Sequence, residues 1–126
     1  MILDTAPTLP AVLARAVRLF GDSPAIVTDA GTLTFRQLDE AVTRAAAAYA
    51  AAGLRHGDRV GVWAPNSPEW IIAALGAMVL GGIIVPLNTR LKGKEAAYIL
   101  RRSGAKLLLT VGDFLGTRYP ELLAGE

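Results

Sequence analysis

Residues 57–91, GDRVGVWAPNSPEWIIAALGAMVLGGIIVPLNTRL, have the pattern of a complete strand-helix-strand unit. β-forming residues at 59–64 and again at 83–87 predict two short buried strands. Between them, Ser67 supplies an N-cap oxygen and Pro68 occupies the first helical position, where its missing N–H costs nothing. A glycine pair, Gly81-Gly82, can end the helix in a left-handed conformation. Two strands joined by a helical crossover form a βαβ unit, whose strands are parallel.

The middle of this unit carries no charged residue from Trp70 to Leu87. A stretch of about 20 apolar residues can span a bilayer, so a membrane helix is one interpretation. Gly81-Gly82 and Pro86 interrupt the run where a helix would turn into a strand, which favours a core helix followed by a core strand. A helix that is apolar on nearly every side must be covered on nearly every side, so we expect the unit inside a layered structure.

The rest of the chain predicts further helices and strands around the βαβ unit. Thr8 can cap a first helix, and Thr34 with Gln37 forms a capping box that opens a long helix ended by Gly53. The predicted elements are a helix at 9–20, a hairpin of 25–28 and 32–34, the long helix from 35, a helix at 94–103, a strand at 106–110 and a last helix from Asp113. The predicted fold is therefore an α/β layered subdomain with a mostly parallel sheet flanked by helices, plus a short antiparallel hairpin near the N-terminus.

Composition agrees with one folded domain. The chain has 126 residues, of which 52% are hydrophobic, enough for a substantial core. Cysteine is absent, which excludes a disulfide framework and a thiolate zinc site. The N-terminus lacks a basic segment followed by a long apolar one, so no secretory signal is visible and a cytoplasmic location is expected.

Basic residues are concentrated in residues 90–106, which contain six Lys or Arg against the single acid Glu95. One interpretation is a solvated helix face with its adjoining loop, and the other is a patch for an anionic ligand. Nucleic acid is a poor candidate for that ligand, because only Tyr98 offers a stacking aromatic and no DNA- or RNA-reading motif accompanies it.

Motifs for several kinds of catalysis are missing. The chain has no G-x-x-x-x-G-K-[ST] loop for phosphates and no G-x-S-x-G elbow for a nucleophilic serine. His56, the only histidine, lies in a polar turn, where an exposed loop residue is expected rather than a general base. Asp39 and Glu40 are neighbours on a helix and point in different directions. The tryptophans Trp63 and Trp70 are expected to fill core.

Four short motifs, in order, resemble the N-terminal region of the adenylate-forming superfamily, which includes acyl-CoA synthetases, luciferases and the adenylation domains of peptide synthetases. The motifs are Leu33-Thr34-Phe35-Arg36-Gln37-Leu38, Gly57-Asp58-Arg59-Val60, Asn66-Ser67-Pro68-Glu69 and Gly81-Gly82-Ile83-Ile84-Val85-Pro86-Leu87-Asn88. Residues 88–91, Asn-Thr-Arg-Leu, are more similar to the acyl-CoA synthetase branch, since an Asp is usual at the Asn88 position in the peptide-synthetase branch.

The resemblance implies that residues 1–126 are a single N-terminal subdomain of a larger ligase. The intact enzyme would use ATP and Mg²⁺ to convert a carboxylic acid to an acyl-adenylate, release pyrophosphate, and transfer the acyl group to the thiol of CoA. The family's Thr/Ser/Gly-rich phosphate loop lies beyond the matched region, so no catalytic residue and no metal ligand is expected in this chain, which should be inactive alone. Arg90 is the one expected ligand contact, to a phosphate of CoA.

Two other functions stay open on the sequence. The chain could be a stand-alone, non-catalytic module that binds CoA or a nucleotide or serves as an interaction surface. It could also belong to an adenylation domain that acts on an amino acid. No nucleic acid partner is expected; the acyl substrate and the oligomeric state are not determined by the sequence.

Overall fold

The computed structural model describes residues 6–112 and 119–126 and contains five helices and five strands in these ranges. In chain order they are α1 (Leu9–Phe20), β1 (Pro24–Thr28), β2 (Gly31–Thr34), α2 (Phe35–Ala51), β3 (Arg59–Trp63), α3 (Pro68–Val79), β4 (Ile83–Pro86), α4 (Gly93–Ser103), β5 (Ala105–Thr110) and α5 (Tyr119–Ala124). The predicted elements are confirmed to within a residue or two at each end. The last helix was predicted from Asp113, which lies outside the described residues.

Two separate sheets are present among the described strands. β1 and β2 form an antiparallel hairpin, while β4, β3 and β5 form a parallel sheet in that order. Arg59 of β3 pairs in register with Ile83 of β4 on one side and with Ala105 of β5 on the other. The predicted α/β class, with a parallel sheet flanked by helices and a hairpin near the N-terminus, is confirmed.

Helices cover both faces of the parallel sheet. On one face, Val60 of β3 packs with Tyr49 of α2 and Ala77 of α3. On the other face, Trp63 packs with Ala96 of α4 and with Tyr119 of α5. Because successive strand residues point to opposite faces, Val60 and Trp63 lie on different sides, as their spacing of three requires. A third layer, α1 with the hairpin, packs against α2 and α3.

The predicted helix caps are present. The Thr34 hydroxyl accepts from the Gln37 N–H at 3.1 Å, and the Gln37 side chain accepts from the Thr34 N–H at 2.9 Å. The Ser67 hydroxyl accepts from the Trp70 N–H at 3.2 Å, which satisfies one of the free donors at the start of α3. After α3, Gly81 has φ +78°, the left-handed conformation expected there.

The alanine run of α2, residues 45–48, lies partly against α3. Ala45 and Ala46 contact Gly76 of α3, where a Cβ would sit 2.7 Å from the Ala45 Cβ. Ala47 and Ala48 are exposed. The run therefore makes a close helix-helix contact, since small residues on both helices let the two backbones approach.

The βαβ helix is less covered than its composition suggested. Ala74 and Ala77 of α3 are buried, but Ile71 and Val79 are 38% and 48% exposed. In the ranges 6–112 and 119–126, no helix is both long and apolar enough to cross a membrane. Ile71 and Val79 are thus apolar side chains that the described part of the chain leaves partly open to solvent.

Candidate functional site

The two helical connections of the parallel sheet leave on opposite faces. The chain passes from β3 through α3 on one face to β4, and then through α4 on the other face to β5. The connections after β3 and β4 therefore diverge at the carboxyl edge of the sheet. In open α/β sheets, such a switch point opens a crevice in which ligands bind.

A crevice of about 530 Å³ lies at this point. One wall is the segment after β3, with Ala64, Pro65 and Asn66, and the other is the end of β4 with the residues that follow it, Pro86 to Thr89. Trp70, at the start of α3, also lines it. The side chains of Asn66, Asn88 and Thr89 give the crevice hydrogen-bonding groups that suit a polar ligand.

The turn that follows β4 is held by several hydrogen bonds. The Leu91 N–H donates to the Asn88 carbonyl at 3.1 Å, and the Arg90 N–H donates to the Asn88 side-chain oxygen at 2.9 Å. The indole N–H of Trp63 donates to the same Asn88 carbonyl at 2.9 Å. The hydroxyl of Tyr119 donates to the Thr89 carbonyl at 2.9 Å. We call residues 88–91 the switch-point turn.

Arg90, the residue predicted to contact a phosphate, is in the switch-point turn, directly after Thr89 of the crevice wall. Its side chain is exposed. Among residues 6–112 and 119–126, no acidic side chain forms an ion pair with the Arg90 guanidinium. A guanidinium presents a planar fork of N–H donors that matches phosphate oxygens. The Arg90 side chain is therefore suited to bind an anion such as a phosphate at the mouth of the crevice.

The basic segment 90–106 does not form one patch. Arg90 and Lys92 precede α4, whereas Arg101 and Arg102 are in its last turn. A helix of this length separates its ends by about 16 Å, from a rise of about 1.5 Å per residue. Arg101 donates to the Glu126 carbonyl at 3.2 Å. Most of α4 therefore separates Arg90, Lys92 and Lys94 from Arg101 and Arg102, and Arg90 is the one directly next to the crevice wall in sequence.

Lys106 has a structural role at the opposite edge of the sheet. Its ammonium donates to the Gly53 carbonyl and to the Asp58 carboxylate, the latter at 3.1 Å. The same carboxylate oxygen accepts from the Arg55 N–H at 2.8 Å. The backbone N–H of Arg55 and the Lys106 ammonium hold the pKa of Asp58 below its usual range. These contacts join the start of β5 to the turn before β3.

The two tryptophans and the histidine have distinct surroundings. Trp63 is fully buried, as predicted, and its indole N–H also binds the switch-point turn. Trp70 is only partly buried and lines the crevice. His56 is exposed in its turn, as predicted, and its ring lies against Gly81. In the part of the chain that the structure describes, no group of three or more His, Asp or Glu could hold a metal ion.

Sequence reasoning missed Tyr119. Its ring is 2% exposed and meets Trp63 edge to face, with ring centroids 4.6 Å apart. Its hydrogen-bond partner is 30 residues away in the chain. No local sequence pattern links a tyrosine to a carbonyl so distant in the chain. The one signal in the sequence is that Tyr119 is a single aromatic residue at the start of a short helix.

A family comparison matches this chain over most of its length. Residues 13–124 match the model of the AMP-binding enzyme family. The chain is 44% identical over 116 residues to a 3-[(3aS,4S,7aS)-7a-methyl-1,5-dioxo-octahydro-1H-inden-4-yl]propanoyl:CoA ligase of Rhodococcus jostii, which covers 91% of this chain and 22% of that protein. It is 37% identical to a crotonobetaine/carnitine–CoA ligase of Salmonella paratyphi A, over 86% of this chain and 22% of that protein. The chain thus spans about a fifth of the length of these relatives.

Solved structures give the same result. The N-terminal domain of FACL13 from Mycobacterium tuberculosis superposes with a TM-score of 0.76 at 33% identity, covering 78% of this chain and 25% of that one. NpsA-ThdA, a fused adenylation-PCP di-domain from Klebsiella oxytoca, superposes with a TM-score of 0.80 at 26% identity, covering 93% and 22%. The four motifs, the fold and the match over residues 13–124 agree, and the chain belongs to the AMP-binding enzyme family.

Proposed function

We propose that residues 1–126 form the N-terminal subdomain of an ATP-dependent acyl-CoA synthetase. Such an enzyme joins a carboxylic acid to CoA through an acyl-adenylate, with release of pyrophosphate and AMP. The observation that carries the proposal is the 44% identity, over 91% of this chain, to a protein named as a CoA ligase. The proposal includes ATP, CoA and Mg²⁺ as the substrates and metal ion that the intact enzyme would require. A cytoplasmic location stays a prediction from the sequence.

Within that enzyme, we assign Arg90 to a phosphate of CoA. The support is its place beside Thr89 in the crevice wall, its exposed side chain, and the absence of an acidic partner among residues 6–112 and 119–126. When bound, CoA would supply the thiol that accepts the acyl group. The part played by this chain is to fix the nucleotide end of CoA through Arg90 and to form one wall of its site.

The subdomain alone is expected not to catalyse the reaction, because the loop that binds the phosphates of ATP in this family lies after the matched motifs. The test is to give the purified chain ATP, Mg²⁺ and a panel of carboxylic acids, and to measure pyrophosphate. Release of pyrophosphate above the rate without acid would show that the chain is catalytic by itself and would refute this part of the proposal.

The role of Arg90 is tested in the longer enzyme that contains this chain. Arg90→Ala removes hydrogen bonds to a charged group, each of which contributes about 1.5–3 kcal/mol, so the KM for CoA should rise roughly 10-fold or more. The KM for ATP should stay unchanged. Arg102→Ala is the matched control, because Arg102 is exposed at the far end of α4. The assignment of Arg90 would be refuted if the KM for CoA rose equally in both variants, or if it rose in neither.

A second candidate is a stand-alone module that binds CoA without catalysis. The observation that favours it is that Arg90 and the crevice lie wholly within the described residues. Calorimetric titration of CoA into the purified chain separates the two candidates. Micromolar binding that Arg90→Ala abolishes, and that pantetheine lacking phosphate does not reproduce, would favour the module. No binding would favour a subdomain whose site needs further segments.

The third candidate is an amino-acid adenylation domain. The observation that supports it is the structural match to NpsA-ThdA, which contains an adenylation domain. Sequence favours the CoA ligases, which reach 37–44% identity against 26–28% for the NpsA structures. The longer enzyme separates the candidates by the acid that drives exchange of pyrophosphate into ATP. Exchange with amino acids, and none with simple carboxylic acids, would favour the adenylation domain.

A further inference from the structure

The peptide group that joins Thr89 to Arg90 is held from both sides. Its carbonyl accepts from the Tyr119 hydroxyl at 2.9 Å, and its N–H donates to the Asn88 side-chain oxygen at 2.9 Å. A peptide group is planar, so two hydrogen bonds on opposite edges fix the orientation of the whole plane. The Cα of Arg90 is attached to that plane, and the direction in which its side chain leaves the backbone is fixed with it.

We propose that Tyr119 is a positioning residue that orients Arg90 through the Thr89 carbonyl. This inference rests on the proposed role of Arg90 as the contact to a CoA phosphate. Turns on a protein surface sample several backbone conformations, and each ordered backbone residue costs about 1–2 kcal/mol of conformational entropy. A turn that is ordered before the ligand arrives does not bear that cost on binding, so the hydroxyl of Tyr119 increases the affinity for the anion.

The aromatic pair beneath the turn gives Tyr119 a rigid base. Tyr119 is 2% exposed and Trp63 is fully buried, and their rings meet edge to face. The indole N–H of Trp63 donates to the Asn88 carbonyl, which directly precedes the Thr89 carbonyl in the same turn. Two successive carbonyls of the turn are therefore bound by two buried side chains that contact each other.

Tyr119 reaches the turn because α5 packs closely on α4. A Cβ at Gly93, the first residue of α4, would overlap the carbonyl oxygen of Leu122. Gly93 is buried, and Leu122 and Leu123 of α5 pack in the same cluster as Leu87. The absence of a side chain at Gly93 allows α5 to lie where the Tyr119 hydroxyl meets the Thr89 carbonyl.

A purely packing role for Tyr119 predicts a different result from a positioning role when the hydroxyl alone is removed. Tyr119→Phe keeps the ring, and therefore most of the contact with Trp63, but removes the donor to Thr89. If the residue acts only through its ring, the turn stays ordered. If it acts through its hydroxyl, the turn loosens while the sheet remains intact.

Amide hydrogen exchange on the purified chain measures this directly. In Tyr119→Phe the amides of Arg90 and Leu91 should exchange roughly fivefold faster, since one hydrogen bond contributes about 1 kcal/mol. The amide of Val62, in the central strand, should keep its rate. Tyr98→Phe is the matched control, because Tyr98 is 63% exposed on α4. Unchanged rates in the turn, or equal acceleration at Val62, would overturn the inference.

A second variant tests the other edge of the same peptide group. Asn88→Ala removes the acceptor of the Arg90 N–H at an exposed position, so it leaves the core intact. It should speed exchange of the Arg90 amide as Tyr119→Phe does. The two substitutions together should have less than the product of their separate effects, because either one alone frees the plane. If the effects of the two substitutions on the exchange rate multiply, the contacts from Tyr119 and Asn88 do not hold the same peptide group together. That result would contradict the inference.

The longer enzyme links the turn to CoA. Tyr119→Phe should raise the KM for CoA by a few-fold and leave the KM for ATP unchanged, and it should have no further effect when combined with Arg90→Ala. If Arg90→Ala leaves CoA binding intact, the proposed role of Arg90 as the contact to a CoA phosphate fails, while the exchange rates still decide whether Tyr119 holds the turn. If Arg90→Ala weakens CoA binding but Tyr119→Phe changes neither exchange nor KM, only the present inference fails.

Discussion

Asp58 shows at the scale of one residue how the turn before β3 is joined to β5. Its carboxylate accepts from the Arg55 N–H and from the Lys106 ammonium, and these contacts hold its pKa below the usual range. A carboxyl whose pKa is lower in the folded than in the unfolded state stabilises the fold above its unfolded pKa. That contribution is lost as the pH falls through the lowered, folded pKa.

Asp58→Asn is therefore expected to be less stable than the native chain at neutral pH, by an amount that shrinks as the solution is acidified below the usual pKa of an aspartate. Urea unfolding at a series of pH values measures the difference. Asp22→Asn is the control, since the Asp22 and Arg36 side chains are 93% and 54% exposed and such pairs contribute little. A constant difference between Asp58→Asn and the native chain at all pH values would contradict the linkage.

Tyr49 gives the opposite pH dependence. Burial raises the pKa of Tyr49 from 10.0 to about 12, and its hydroxyl donates to the Ala73 carbonyl at 2.9 Å. Because the folded pKa exceeds the unfolded one, the folded chain should lose stability as the pH rises from about 10 to about 12. Tyr49→Phe has no proton to lose, so its stability should fall less over this range when measured by urea unfolding. Parallel losses in the two chains would contradict this role of Tyr49.

At the scale of the element, the contact between α2 and α3 depends on small residues. Gly76→Ala places a Cβ 2.7 Å from the Ala45 Cβ, in a region where the backbone of Ala46 also lies close. Overpacking of this kind typically costs about 1–3 kcal/mol and exceeds the gain of about 1 kcal/mol from better helix propensity. Gly76→Ala should therefore lower the free energy of unfolding.

The matched test is a double-mutant cycle with Ala45→Gly. Ala45→Gly alone should cost about 1 kcal/mol through helix propensity, but it should remove part of the overlap in the Gly76→Ala background. The two substitutions together should thus be less harmful than the sum of their separate effects. Additive costs in urea unfolding would show that the overlap at Ala45 is not the reason for the loss.

Local sequence patterns predicted most of the helices and strands. They did not predict the contacts between residues that are far apart in the sequence. The caps at Thr34 and Ser67 involve residues three positions apart, so the sequence alone is enough to find them. The packing of Ala45 on Gly76 depends on where α3 lies, which no pattern within α2 reports. Likewise, the crevice follows from the sheet order, and Tyr119 reaches the switch-point turn only through the packing of α5 on α4. The motif was enough to predict Arg90 as a ligand contact. The hydrogen bond from Tyr119 that holds the turn around Arg90 could not be predicted from the sequence.

At the scale of the whole molecule, the described part of the chain presents several large apolar side chains to solvent. Val27 of the hairpin is 72% exposed, Ile83 of β4 is 51% exposed, and Val79 at the end of α3 is 48% exposed. Among the described strands, β4 and β5 are the outer strands of the parallel sheet. Exposed apolar groups beside an open strand edge favour association with another chain or segment.

The purified chain should therefore self-associate at high concentration through the β4 edge, and Ile83→Lys should reduce this association. A lysine on an edge strand opposes edge-to-edge pairing because pairing would bury its charge. Since Ile83 is half exposed, the substitution should leave the free energy of unfolding nearly unchanged. Sedimentation velocity over a range of concentrations measures the association. Leu19→Lys is the control, because Leu19 is 54% exposed on α1 and the substitution adds the same charge. If Leu19→Lys reduces association as much as Ile83→Lys, general charge repulsion explains the effect, and the β4 edge is not the surface that pairs.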